Sequence, residues 1–398
     1  MSNLPPRRAD METFFATCPR GLEHVLAAEL AELAATDTQP TDGGVSFRGP
    51  YTLCYRINLE SRIASRVLWR IGHCRYQTEN DIHAAARRLR WMQWFGADQT
   101  LRVDTAAVRS PLRSLDFVTL RIKDAVCDVL RETEGRRPSV DTRQPDVRIH
   151  AFLTRDEAVF YLDTSGEALF KRGWRTATGE APLRENLAAG ILRLTGWTAD
   201  QPLLDPMCGS GTFLIEAALM AMRRAPGLHR SFGFEKLRNF DRSAWAALRQ
   251  RAADNENNSI KSNIYGYDRS GDAIAQARRN VAALELQDRI TLKQCRFEDS
   301  QPPAPAGVLI TNPPYGVRLE ELDDLAAWYP GLGDILKQRY SGWTAYLFTG
   351  DLRLPKLMRL KPSRKVPLFN GAIECRLFKY ELVAGSMRKV KDKLNGMA

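Results

Sequence analysis

The eight residues Asp205-Pro-Met-Cys-Gly-Ser-Gly-Thr212 constrain the fold of this chain more than any other stretch. They follow a short apolar run at 202–205 and lead directly into 213–222, which reads as a helix. A strand that passes through two glycines into a helix lets backbone approach a ligand at the helix N-terminus. From Pro182 onward strands and helices alternate. Helices are predicted at 183–194 and 270–284, and strands at 263–268, 290–295, 308–311 and 344–349. Two last strands, 365–368 and 374–382, flank Asn370-Gly371, a strong hairpin signal. The expectation is a Rossmann-like α/β domain with a parallel sheet and a C-terminal antiparallel hairpin.

Three kinds of glycine loop can be weighed. A Walker loop needs a Lys-Ser/Thr pair after its second glycine, where Phe213 and Leu214 stand. A dinucleotide fingerprint needs a third small residue, and Leu214 takes that place. A loop for a nucleoside without a pyrophosphate fits better. Asp268 ends the next strand, where a carboxylate can accept both ribose hydroxyls. It comes later than a plain βαβ unit would put it because an aromatic and polar excursion, 223–262, intervenes.

The strand at 308–311 stops at Asn312-Pro313-Pro314-Tyr315. Both prolines fix φ and remove backbone donors, and each biases the residue before it away from the helical region. What remains is an amide oxygen, one or two carbonyls and a flat ring. That set suits a planar NH₂ group and the ring that carries it. The five histidines (24, 73, 83, 150 and 229) lie outside these motifs, so no histidine base is expected, and Cys208 is read as a small loop residue rather than a nucleophile.

The N-terminal half is α+β. Strands are expected at 12–18, 45–47 and 66–71, with helices at 22–33 and 51–59, a β-α-β-α-β unit ending near residue 70. A second unit follows, with a helix at 83–89, a strand at 100–105 and a helix at 114–130 capped by Ser114. A hairpin at 147–153 and 158–162 completes it.

These segments together resemble the THUMP-domain class I S-adenosylmethionine (SAM)-dependent RNA guanine-N2 methyltransferases, of the RlmL type that acts on 23S rRNA. Asp-Pro-x-Cys-Gly-Ser-Gly-Thr is similar to the SAM loop of class I methyltransferases. Phe14-Phe-Ala-Thr-Cys-Pro-Arg-Gly-Leu-Glu23 and Leu169-Phe-Lys-Arg-Gly-Trp-Arg175 resemble the start and the THUMP junction of the guanine-N2 enzymes, and the 223–262 excursion resembles their insertion. The resemblance covers the chain from about Phe14 to Leu382. It implies a ferredoxin-like domain over 1–70, a THUMP RNA-binding domain over 71–168 and a methyltransferase domain over 169–398.

For the site, the resemblance implies catalysis by Asn312, Pro313, Pro314 and Tyr315. It implies SAM contacts from Asp205, Pro206, Cys208, Gly209, Ser210, Gly211, Thr212, Asp268 and Arg269. Asn186, in a helix start that resembles the one before the SAM loop, joins them. The acidic residue usually offered to the adenine amine is replaced by Arg296, which leaves Glu298, Asp299 or the backbone for that contact. A tRNA guanine-N2 methyltransferase and an adenine-N6 DNA methylase are the enzymatic alternatives, and an inactive RNA-binding protein is the non-enzymatic one. The RlmL module is fused to a second methyltransferase in some bacteria; here only the first activity is implied.

Charge adds a partner. The chain carries a formal +11, but residues 181–352 are neutral with 20 Lys+Arg against 20 Asp+Glu. Residues 48–148 carry 19 against 12, and 18 of those 19 are arginine, the side chain suited to phosphate forks. Arg121, Arg136 and Arg137 are the candidate RNA contacts. The seven cysteines show no Cys-x-x-Cys spacing, so neither a metal nor a disulfide is expected, and a reducing cytoplasm is. With no apolar run of spanning length, no membrane partner is expected. The sequence leaves the oligomeric state open.

Overall fold

The computed structural model describes residues 11–175, 183–258, 263–314 and 319–383, with the side chains of 319–325 excepted. The chain forms two compact units. The first comprises residues up to Cys18, Leu26–Lys171 and Ala225–Asp254, and the second Pro19–Val25, Arg172–Arg224 and the chain from Asn255 on.

The first unit begins with β1 (Glu12–Thr17), α1 (Glu23–Glu32), β2 (Thr36–Thr41), β3 (Gly44–Gly49), α2 (Leu53–Glu60) and β4 (Arg66–Arg75). This is a βαββαβ order, one strand more than the sequence pattern predicts. The extra strand, β2, reads Thr-Asp-Thr-Gln-Pro-Thr and is mostly exposed. It lies at the sheet edge, where a proline and polar side chains are tolerated because one side needs no ladder. The chain continues through α3 (Glu79–Arg88), β5 (Leu101–Ala107), α4 (Leu115–Glu134), β6 (Val147–Leu153) and β7 (Glu157–Asp163). All seven strands form one sheet, in the order β2-β3-β1-β4-β7-β6-β5, joined at its middle by the antiparallel β4–β7 pair. The Ser114 hydroxyl accepts from the Phe117 amide and so caps α4, as the sequence predicts. Gly135 closes that helix with φ +71°.

The second unit supplies α5 (Glu185–Thr195), β8 (Leu203–Asp205) and α6 (Thr212–Ala221). The excursion then forms α7 (Arg242–Asp254) and an aromatic cluster within the first unit. Phe232 and Phe234 stack at 5.3 Å, and Phe234 meets Tyr55 of α2 at 4.4 Å and Trp245 of α7 at 5.1 Å.

Back in the second unit come β9 (Ile264–Asp268), α8 (Gly271–Ala282), β10 (Ile290–Gln294), β11 (Gly307–Thr311), α9 (Leu319–Arg339), β12 (Trp343–Thr349), α10 (Leu354–Leu357), β13 (Arg364–Asn370) and β14 (Ile373–Glu381). The sheet order is β10-β9-β8-β11-β12-β14-β13, with β8 to β12 parallel and β14 antiparallel to both its neighbours. The strand order reverses between β8 and β11, the switch point at which open α/β sheets hold ligands beyond their carboxyl ends. Helix α9 is a finding the sequence pattern does not give, since Pro330, Gly331 and Gly333 interrupt it. It persists because Tyr329, Leu332, Leu336 and Tyr340 are all buried against Leu309, Ala345 and Leu347 of the sheet.

Candidate active site

Leu204 of β8 pairs with Leu309 of β11, which brings the ends of these strands side by side at the switch point. There the Thr311 hydroxyl donates to Asp205 Oδ1 at 2.7 Å, and the Met207 amide donates to the same oxygen at 3.1 Å. Asp205 is 2% exposed, and burial pushes its carboxyl up to about 7, opposed by these two hydrogen bonds and helped by nearby Asp268. The predicted SAM-loop aspartate therefore faces inward. It fixes the first turn of the loop and the residue that precedes Asn312.

The glycine loop is braced from two other sides. Asp268, at the end of β9, accepts from the Gly209 amide with Oδ2 and from the Ser270 amide with Oδ1, both at 2.9 Å. Asn280 of α8 donates to the Ser210 carbonyl at 3.0 Å. Gly209 and Gly211 hold φ of +53° and +84°, the left-handed region, so the two-glycine turn has a backbone reason. At Gly266 a Cβ would lie 2.2 Å from Leu214, so this glycine lets α6 settle onto β9. Cys208 is buried, and burial together with the two aspartates holds its thiol well above the ordinary value. It stays protonated, in keeping with a packing role.

Asn312 follows β11 directly. Its Oδ1 is buried and accepts no hydrogen bond among the described residues. A buried acceptor left empty costs about 1–3 kcal/mol, which makes an incoming N–H donor its natural partner. Pro313 is buried and Pro314 exposed. The Tyr329 hydroxyl of α9 donates to the Pro314 carbonyl at 3.2 Å. Burial pushes that hydroxyl up to about 12, so it remains a donor. Tyr315 lies outside the described residues.

The remaining candidates divide. Asn186 is fully buried in the first turn of α5, next to Glu185. Pro206 and Thr212 are buried in the loop and at the start of α6, and Arg269 is exposed beyond β9. Asp299 is paired with exposed Arg296 at 2.8 Å. Glu298 is half-buried and accepts from the Trp328 indole at 2.5 Å. In the first unit, Arg121 donates to Asn80 of α3 at 2.9 Å and Arg137 is paired with Asp124 of α4 at 3.1 Å, while Arg136 is exposed.

The sequence pattern misses Thr311, Tyr329 and Arg175. The Arg175 guanidinium meets Glu185 at 2.9 Å, Thr212 Oγ1 at 3.0 Å and the Leu183 carbonyl at 3.1 Å, tying the segment before α5 to the start of α6. A periodicity argument cannot see such pairs, because their partners are far apart in sequence.

A loop shaped by glycines at a switch point, a carboxylate at the end of the adjoining strand and an empty amide acceptor beyond the next one define a class I methyltransferase. Comparison with known proteins places the chain within that class. Residues 172–379 match the profile of the RMKL-like methyltransferase domain, 76–163 that of the THUMP domain and 13–68 that of the RlmL ferredoxin-like domain. The chain belongs to the RMKL-like methyltransferase family, and SAM is its methyl donor.

The Synechocystis sp. protein slr0064, which carries an RNA-methyltransferase name, is 39% identical over 94% of this chain and 98% of its own length. The ribosomal RNA large subunit methyltransferase K/L of Syntrophotalea carbinolica is 40% identical over 93% of this chain and 53% of its own. The chain thus spans about half the length of that relative. The crystal structure of SMU.472 complexed with SAH superposes with a TM-score of 0.86 at 31% identity, covering 95% of this chain and all of that one. That of a protein described as a predicted N6-adenine-specific DNA methylase from Listeria monocytogenes superposes at 0.85 and 31%, covering 94% of this chain and 97% of that one.

Proposed function

We propose that this protein methylates the exocyclic N2 amine of a guanine in RNA, and that the RNA is 23S rRNA. The observation that carries the reading is the buried, empty Oδ1 of Asn312 at the carboxyl end of β11, next to the loop held by Asp205 and Asp268. Similarity to RNA-methyltransferase-named relatives and the THUMP match support RNA as substrate. The same reading divides the chain into modules at 1–70, 71–168 and 169–398.

The residues present fit SAM. Gly209, with nothing within 4 Å of an added Cβ, leaves the loop backbone open to a ligand, and Asp268 keeps lone pairs beyond its two backbone bonds for ribose hydroxyls. When bound, SAM supplies an electrophilic methyl on sulfur whose departure leaves a neutral thioether. A guanine amine is a weak nucleophile because its lone pair is delocalised into the ring. The Asn312 amide oxygen and the Pro313 carbonyl accept its two N–H groups. That favours a pyramidal nitrogen and aims the lone pair. The Tyr329 hydroxyl holds the Pro314 carbonyl, which keeps the proline pair rigid. Tyr315 is assigned to stack on the extruded base. Thr311, through Asp205, sets the height of Asn312 against the loop.

A second reading is methylation of adenine N6, because an adenine amine satisfies the same acceptors and a structural neighbour carries that description. Transfer of labelled methyl from SAM to separated rRNA, tRNA and DNA, followed by nucleoside mass spectrometry, decides. N2-methylguanosine in 23S rRNA is the expected product; N6-methyladenine in any pool would overturn the reading.

A further inference from the structure

A cavity of about 450 Å³ lies in the second unit, between the C-terminal end of α5 and the β12-β14-β13 face. Tyr346 and Arg364 are both direct cross-strand partners of Lys379, so the three side chains form one row across three strands. Leu377 and Val366, themselves partners, form an apolar floor beside that row. The Tyr346 hydroxyl donates to the Thr195 carbonyl at 3.0 Å and fastens the helix end to the sheet, and Arg193 adds a third cation to the rim.

Two features of this cleft are unexplained by stability. Like charges placed opposite one another across strands are destabilising, yet Arg364 and Lys379 are so placed. Lys379 is paired with Glu381 at 2.9 Å, whereas Arg364 makes no hydrogen bond or ion pair among the described residues. The chain that leads into the row is one-signed: from Arg353 to Lys365 there are six Lys/Arg and no Asp/Glu. An anion bridging Arg364 and Lys379 would convert the repulsion into binding. A cleft of this volume has room for one nucleotide, with its sugar and base against Leu377 and Val366.

We propose that this cleft is a second RNA contact, in which Arg364 and Lys379 hold a backbone phosphate of the substrate. The inference rests on the reading that the substrate is RNA. A phosphate contact here adds affinity and register for any sequence rather than choosing the base.

The test compares Arg364→Glu with Lys365→Glu in the full chain, using anisotropy of a labelled RNA hairpin across a salt series. Lys365 neighbours Arg364 but points to the opposite face of β13, so it carries the same charge change outside the cleft. Arg364→Glu should weaken binding about tenfold and reduce the salt slope by about one. Lys365→Glu should do markedly less, and Arg364→Lys should retain most of the binding. Calorimetry with S-adenosylhomocysteine should be unchanged in all three, which shows that the second unit is intact. Equal losses in the two reversals, or no loss with Arg364→Glu while the wild type binds, would overturn the cleft alone. A wild type that binds no RNA would overturn the substrate reading, and the cleft with it.

Discussion

The Thr311 hydroxyl and Asp205 Oδ1, 106 positions apart in sequence, lie 2.7 Å apart and join the SAM loop to the residue before Asn312. In the proposed mechanism the bond couples the methyl-donor side of the site to the amine-acceptor side. Thr311→Val keeps the shape and removes the donor. It should lower unfolding free energy by about 1–3 kcal/mol. It should also reduce kcat by more than it weakens S-adenosylhomocysteine binding. Urea titration and steady-state kinetics check this; unchanged kcat would dissociate Asp205 from the acceptor.

Asn312→Ala deletes the empty acceptor. Turnover should fall by at least about 10² while cofactor affinity stays within twofold. Single-turnover methylation and calorimetry measure the two arms. Retained activity would remove Asn312 from the mechanism.

Asp268→Ala loses the carboxylate that accepts from Gly209 and Ser270. Cofactor affinity should drop about tenfold or more. Asp268→Asn, which keeps one acceptor for Gly209, should fall between the wild type and Ala. If Ala binds S-adenosylhomocysteine as the wild type does, the ribose role is wrong.

Asp205 gives the fold a pH signature. With its carboxyl raised to about 7 by burial, the folded protein retains a proton that the unfolded chain releases above about pH 4. Its contribution therefore favours the fold at acid pH and is lost as pH rises through about 7. Asp205→Asn cannot ionise, so its stability relative to the wild type should improve between pH 5 and 8, by up to about 3 kcal/mol. Urea midpoints across that range would contradict this if the two profiles ran parallel.

Charge reversal of Arg121, Arg136 and Arg137 together should weaken RNA binding and flatten its salt dependence. Arg136 should carry the larger share, because Arg121 and Arg137 are engaged by Asn80 and Asp124. A salt series on the single variants checks the order; an unaffected triple variant would remove this stretch from the interface.

Much of the fold was legible because periodicity and turn chemistry are local. The Gly-x-Gly turn, the Ser114 cap, the Asn370-Gly371 hairpin and the parallel strands from 202 to 349 all stand where the pattern predicts, within a residue or two at most ends. Edge strand β2 and helix α9 were not, for opposite reasons. β2 is polar because nothing covers it, and α9 keeps Pro330 and two glycines because core contacts outweigh their cost.

The sequence by itself determined the loop, the Asp268 carboxylate and the Asn-Pro-Pro tip, since each is written in consecutive residues whose backbone preferences act alone. It could not determine that Asp205 turns inward to Thr311, that Tyr329 holds Pro314, or that Arg364 and Lys379 face each other. Those relations come from strand order and register, which bring together residues tens to a hundred positions apart. Only the folded sheet, by reversing its order between β8 and β11, places the end of β11 beside the loop.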